Sequence, residues 1–105
     1  MEEVNIKSVP NQVVDYIFNS TDFYSIHIYT LNGLTYTDIS RNGNQLTNGV
    51  LAFDGVNLIP SAVLTNGGNF RFSCVNKDSP YYKNFGLSQR LIFYTNDELN
   101  VGAQS

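Results

Sequence analysis

The chain has 105 residues, a net charge of −3 and only 14% charged residues, which favours one domain with a single core over a disordered chain. Its six cations are scattered, so no basic stripe is present to bind nucleic acid. No apolar run approaches the length of about 18 residues that crosses a membrane, and no secretory signal is visible at the start.

Apolar and polar residues alternate along most of the chain, which is typical of half-buried β-strands. We predict strands at 4–9, 13–18, 23–31, 34–40, 45–53, 69–76 and 87–95, with 45–53 forming either one strand or two short ones. The third strand is the clearest, since Tyr24, Ile26 and Ile28 share one face. Asn32-Gly33 predicts a type I′ hairpin turn, because both residues accept a positive φ. About seven short strands indicate an all-β fold, a small antiparallel barrel or sandwich.

The other segments read as turns and loops around one compact unit that spans 1–105. Asn66-Gly67 predicts a turn, 77–86 a loop, and 96–105 a polar tail. Two apolar patches fall in these turn-like stretches, and we take them as the candidate contact residues. They are Leu58, Ile59 and Pro60 in one stretch and Tyr81, Tyr82 and Phe85 in the other. Each patch either covers the core of its own chain or contacts a partner.

Residues that carry catalysis are sparse. His27 is the one histidine, and no second His or Cys lies at zinc-ligand spacing. A catalytic His27 would need an orienting carboxylate, which Asp38 on the next strand could supply, but a structural or interface role is favoured. Cys74 shares a strand face with Phe70 and Phe72 and is expected in the core. We therefore expect no enzymatic activity, no metal and no cofactor.

The chain is rich in aromatic residues, with seven Tyr, seven Phe and no Trp. Tyrosine supplies broad contact area with a polar group, and its neutral polarity suits a surface that another chain covers. Three interpretations stay open at this point: strand residues that cover sheet faces, a protein interface, or stacking on sugar rings. The last would make the chain a carbohydrate- or receptor-binding β-module.

A series of short segments follows a fixed order over about residues 9–99. They are Val9-Pro10-Asn11-Gln12, Leu34-Thr35-Tyr36-Thr37-Asp38-Ile39, Asn42-Gly43, Gly49, Asn57-Leu58-Ile59-Pro60, Gly68-Asn69-Phe70, Pro80, Phe85-Gly86-Leu87, Arg90-Leu91-Ile92-Phe93-Tyr94 and Asp97-Glu98. As a set they resemble the phage baseplate plug family, small proteins of contractile-tailed phages. The chain departs from that pattern at Tyr36, where Trp or another large aromatic is expected.

The resemblance implies a structural protein of the virion, made in the host cytoplasm and built into the tail baseplate. It implies packing with hub, spike or tube proteins, and tail symmetry makes a homo-oligomer an option. It implies no enzyme activity, no cofactor, and neither nucleic acid nor membrane as a partner. A small inhibitor directed at a host protein is a further class, which would be found free rather than in virions.

Overall fold

The structure, a computed structural model, describes residues 1–60 and 68–99, whose regular structure is mostly β-strand. The strands are β1 (Glu2–Val4), β2 (Asn11–Phe18), β3 (Asp22–Leu31), β4 (Leu34–Arg41), β5 (Asn44–Gln45), β6 (Val50–Leu51), β7 (Asn69–Cys74) and β8 (Gln89–Tyr94). A 3₁₀ turn at Tyr82–Asn84 lies between β7 and β8. The predicted turn at Asn66-Gly67 falls outside the described residues, as do residues 100–105 of the predicted polar tail 96–105, whose first four residues form a single helical turn.

The strands form two antiparallel sheets that enclose one core. The five-stranded sheet has the order β2-β3-β4-β5, and β6 also pairs with β4. The three-stranded sheet has the order β1-β8-β7, so the first and last strands are neighbours. The all-β prediction is confirmed. Of its two alternatives the sandwich is correct, because within the described ranges both sheets end at edge strands and do not close into a barrel.

The turn residues set the register of the longest hairpin. Leu31 pairs with Leu34 across β3 and β4, and the two residues between them, Asn32 and Gly33, have φ of 51° and 78°. Positive φ at both positions confirms the predicted type I′ turn, whose twist matches that of the flanking strands. The same geometry recurs at Asn42-Gly43, where φ is 51° and 82°.

The core is dominated by rings and branched side chains from both sheets. The fully buried members include Tyr24, Ile26, Ile28, Ile39, Phe70, Phe72, Leu91 and Phe93. From β2, the rings of Tyr16 and Phe18 pack against Phe93 with centroids 4.8 and 5.0 Å apart. The predicted inward faces of β3 and β7 are therefore confirmed, and Cys74 is buried as expected.

Two strand predictions are wrong in detail, and one open alternative is decided. The first strand is Glu2–Val4 rather than 4–9, because only its start pairs with β8 before the chain crosses to the other sheet. Segment 45–53 forms two short strands, the second of its two predicted alternatives, since the chain bends where Leu46 and Thr47 both donate backbone hydrogen bonds to the Ile39 carbonyl. The last strand begins at Gln89, so Leu87 is exposed in a turn instead of facing the core.

Candidate protein-binding surface

The first predicted contact patch divides between core and surface. Leu58 and Ile59 are buried in the core, whereas Pro60 beside them is exposed. For the two aliphatic residues the structure thus shows the first of the two alternatives, in which the patch fills the core of its own chain. Their burial leaves Pro60 as the part of this patch that a partner could touch.

A buried polar side chain holds that patch in place. The Asn69 amide oxygen accepts the Ile59 backbone N–H at 2.9 Å, and the Asn69 amide nitrogen donates to the Ile59 carbonyl at 2.8 Å. Leu58 N–H donates to the Phe70 carbonyl at 2.9 Å. Asn69 is completely buried, so its amide replaces the water that the Ile59 backbone would otherwise need.

The second patch lies in the 77–86 loop, which Gln89 organises. The Gln89 side chain accepts the Tyr81 N–H at 2.7 Å and donates to the Asp78 carboxylate at 3.0 Å and the Ser79 carbonyl at 2.9 Å. The Thr35 hydroxyl, on the opposite sheet, donates to the Pro80 carbonyl at 2.7 Å. These buried hydrogen bonds fix the path of the loop against both sheets.

The loop exposes its tyrosines and buries its phenylalanine. Phe85 stacks on Phe72 with ring centroids 5.4 Å apart and belongs to the core. Tyr81 and Tyr82 are half-exposed, with centroids 4.8 Å apart. Of the six predicted contact residues, Pro60, Tyr81 and Tyr82 have surface to offer a partner, and their interface role stays a prediction.

A larger apolar surface, which the sequence analysis did not single out, lies on the side of the five-stranded sheet that faces away from the core. We call this side of β2, β3 and β4 the outer face. Its apolar side chains are each between 40% and 62% exposed; they are Val13, Ile17, Phe23, Leu31 and Leu34. Strand pairing places Ile17 opposite Phe23 and Leu31 opposite Leu34, so these side chains are neighbours across the sheet.

A polar network lies at the centre of the outer face, around Asp38. Its carboxylate accepts the Gly49 N–H at 2.6 Å and the Tyr29 hydroxyl at 3.2 Å, and lies 3.4 Å from His27 Nδ1. The other ring nitrogen of His27 shares a hydrogen bond of 2.8 Å with Asn11 Oδ1. Burial, followed by the bond to Asp38, raises the pKa of Tyr29. Asp38 thus does approach His27, as a member of a network that also fixes Tyr29 and the bend at Gly49.

The outer face carries little charge. Its positions on β2, β3 and β4 hold two carboxylates, Asp15 and Asp38, and neither Lys nor Arg. Across residues 1–60 and 68–99 no three His, Cys, Asp or Glu side chains gather closely enough to hold a metal ion. The same ranges contain no helix of the length and hydropathy that crossing a bilayer requires. What the outer face offers is five exposed apolar side chains around a polar centre whose groups are fixed by hydrogen bonds.

The sequence of β2 contains a signal for the outer face, because this strand has apolar residues on both of its sides. In a two-layer sandwich each sheet has a single face toward the core, so a strand needs apolar residues on one side only. β2 has them on both: Val14, Tyr16 and Phe18 point inward, while Val13 and Ile17 point outward. A strand that is apolar on both sides predicts a second covering layer, which this chain does not supply in its described part.

Comparison with known families decides the identity. The sequence profile of a family described as cyanophage baseplate Pam3 plug gp18 matches residues 1–97. The chain belongs to this family. It is therefore a baseplate plug, a structural protein of the phage tail that associates with other baseplate components in the virion. The predicted resemblance is confirmed. No protein with a curated description matches the chain significantly.

The segments that carried the resemblance meet in the folded plug protein. Asn69, from the segment Gly68-Asn69-Phe70, binds Ile59 from the segment Asn57-Leu58-Ile59-Pro60. Thr35, from the segment that begins at Leu34 on β4, donates a hydrogen bond to the carbonyl of Pro80 in the loop before β8. These segments thus hold together the scaffold that supports the outer face.

Proposed function

We propose that this plug protein is a non-enzymatic part of the baseplate that binds hub, spike or tube proteins through its outer face. The observation that carries the proposal is the group of five apolar side chains, 40–62% exposed, on one side of the five-stranded sheet. Apolar side chains scattered singly over a surface are ordinary, whereas here five lie on one sheet face, four of them in the facing pairs Ile17–Phe23 and Leu31–Leu34, which favours a site of interaction.

The rigidity of the outer face favours binding. Its side chains stand on long paired strands, with the β3–β4 register continuous from Tyr24–Arg41 to Leu31–Leu34. Because the backbone beneath this surface is already ordered, binding a partner costs little conformational entropy. Most of the free energy gained by burying apolar surface therefore contributes to affinity. The polar groups at its centre are already paired within the chain, as Asp38 is with Gly49 and Tyr29. The half-exposed Tyr81 and Tyr82 provide a second, smaller contact at the loop.

The test is association with purified baseplate proteins of the same phage. The plug protein, mixed at micromolar concentration with the hub, spike or tube protein, is expected to elute with one of them as a stoichiometric complex in size exclusion with light scattering. The same measurement on the plug protein alone gives its own oligomeric state. If it associates with none of them, the proposal is wrong.

A matched pair of variants locates the contact. Phe23→Asn removes an exposed ring from one end of the outer face, where it faces Ile17, and we expect it to raise the Kd at least tenfold, the effect of losing an aromatic hot-spot residue. Val75→Asn removes an exposed aliphatic side chain from the turn after β7 and should leave the Kd within twofold. Equal effects of the two variants would show that the outer face is not the contact surface.

A second candidate function rests on the exposed tyrosines. Tyr81 and Tyr82 present half-covered rings 4.8 Å apart, an arrangement on which a sugar ring can stack. A carbohydrate- or receptor-binding module would bind in a glycan array and lose that binding in Tyr81→Ala or Tyr82→Ala. Glycan binding that survives both substitutions, or no glycan binding, would remove this alternative.

A further inference from the structure

The free edge of β2 is the starting observation. Among the described residues, β2 is the outermost strand of the five-stranded sheet and pairs with β3 alone, in an uninterrupted register from Asn11–Tyr29 to Phe18–Asp22. Thr30 N–H donates to the Pro10 carbonyl, so the even-numbered residues of β2 direct their backbone groups toward β3. The odd-numbered residues direct theirs away from the sheet. Within 1–60 and 68–99, the backbone N–H and C=O groups of these odd-numbered residues have no backbone hydrogen-bond partner. The residues are Asn11, Val13, Asp15 and Ile17.

Apart from the charge of Asp15, this edge lacks the features that normally protect a strand from pairing with another chain. Proteins shorten edge strands, interrupt them with a bulge or proline, or place lysine on them. β2 has eight residues, no bulge in its register, no Pro and no Lys between Asn11 and Phe18. Its outward side chains Val13 and Ile17 are more than half exposed and belong to the apolar outer face.

We infer that β2 takes up an extended strand of a neighbouring baseplate protein, which adds a strand to the five-stranded sheet. This inference rests on the proposed function and names the mode of binding. Main-chain hydrogen bonds to the odd-numbered residues of β2 supply affinity, and alternate side chains of the incoming strand cover Val13 and Ile17. The added strand continues the five-stranded sheet beyond β2, so that the outer face and the partner form one surface.

Charge identifies the occupant. Asp15 is exposed between Val13 and Ile17, and it makes no ion pair or side-chain hydrogen bond in the described part of the chain. A second copy of this chain fits poorly, because antiparallel pairing of two β2 edges with the longest overlap places the two Asp15 side chains directly opposite or diagonally across, roughly 5 or 7–8 Å apart. The strand that fits carries Lys or Arg between two apolar residues of the same face.

Hydrogen exchange tests the mode of binding. Amide exchange is followed by NMR on labelled plug protein, alone and in complex with the hub, spike or tube protein that co-elutes with it. We expect the amides of Asn11, Val13, Asp15 and Ile17 to exchange at least 100-fold more slowly in the complex. The amides of Val14 and Tyr16, already bonded to β3, are internal controls that should be slow in both samples. A complex that leaves the four edge amides unprotected overturns strand addition but not the proposed function, whereas absence of any complex overturns both.

Charge reversal tests the occupant. Asp15→Lys should raise the Kd for that protein at least tenfold, and Asp15→Asn should raise it less. Asp97→Lys, an exposed carboxylate outside the strands, is the control and should change the Kd less than twofold. Unchanged or tighter binding by Asp15→Lys would contradict a basic partner strand. Dimerisation of the Asp15→Asn variant in light scattering, with protection of the same edge amides, would show that the occupant is a second copy.

Discussion

Asn69 and Ile59 exchange two hydrogen bonds inside the core: the Ile59 backbone N–H donates to the Asn69 amide oxygen, and the Asn69 amide nitrogen donates to the Ile59 carbonyl. The same Asn69 oxygen also accepts the Phe70 N–H at 2.8 Å. A segment outside the regular strands is thereby bound to β7 as firmly as a strand would be. Leu58 and Ile59 fill the core because this one polar side chain satisfies the backbone beside them.

The Asn69→Leu variant should therefore be strongly destabilised. Leucine has a similar volume but leaves three buried backbone groups without a partner, and we expect the free energy of unfolding to fall by about 3 kcal/mol or more. Urea unfolding followed by tyrosine fluorescence measures it. Asn5→Leu, at an exposed position, is the control and should change stability by less than about 0.5 kcal/mol. Equal stabilities of the two variants would contradict this account of the core.

Gly68 should not tolerate even a methyl group. A Cβ at this buried position would clash with the Tyr94 carbonyl and lie 2.7 Å from Phe93 Cζ, and φ is +113°. We expect Gly68→Ala to lower the free energy of unfolding by about 2–4 kcal/mol, from overpacking and backbone strain together. Gly55→Ala has a positive φ of +70° but open space around it, so it should cost only about 1 kcal/mol. A smaller loss at Gly68 than at Gly55 would contradict the packing described here.

Cys74 should be chemically inert in the folded protein. Burial, with the nearby Asp54 carboxylate, raises the pKa of its thiol to about 12. Because the raised pKa means that the fold favours the protonated thiol, this contribution to stability is complete below pH 9 and is lost as the pH rises toward 12. At pH 8, reaction with Ellman's reagent should be at least 100-fold slower in the folded protein than in 6 M urea. Comparable rates in both solutions would place the thiol at the surface.

Gln89→Leu should release the 77–86 loop while the sheets remain. Leucine keeps the buried volume but removes all three hydrogen bonds that Gln89 makes to the loop. We expect trypsin to cleave after Lys77 or Lys83 at least tenfold faster than in the parent protein. Leu87→Ala, an exposed neighbour, should leave cleavage unchanged. If Gln89→Leu is cut no faster than the parent, the Thr35–Pro80 hydrogen bond alone is sufficient to hold the loop.

The sequence predicts those parts of this fold that depend on local pattern. Alternation along β3 places Tyr24, Ile26 and Ile28 in the core, and Asn32-Gly33 sets the hairpin, because both signals act over a few residues. The bounds of β1 depend on pairing with the distant strand β8, which leaves no local trace.

The candidate site was less accessible to sequence reasoning. In the sequence, apolar residues that interrupt polar stretches look like contact residues, as Leu58, Ile59 and Phe85 do. In the structure these three are buried, because Asn69 and Gln89 hydrogen-bond the backbone of the two stretches and hold them against the core. Buried polar side chains of this kind resemble surface residues in any pattern of hydropathy. The outer face, by contrast, is encoded locally in the two apolar sides of β2, at Val13 and Ile17 as well as at Val14 and Tyr16.

The position of Gln89 has a consequence for when the loop acquires its shape. Gln89 is the first residue of β8, which follows the loop in the sequence, and it makes three hydrogen bonds to the loop. A nascent chain that has not yet paired β8 with β7 lacks these three hydrogen bonds, and the loop that carries Tyr81 and Tyr82 is held only by its other contacts, such as the Thr35–Pro80 bond. The loop thus acquires its final shape only after β8 has paired with β7, and a baseplate partner that recognises the loop would select chains in which this pairing is complete.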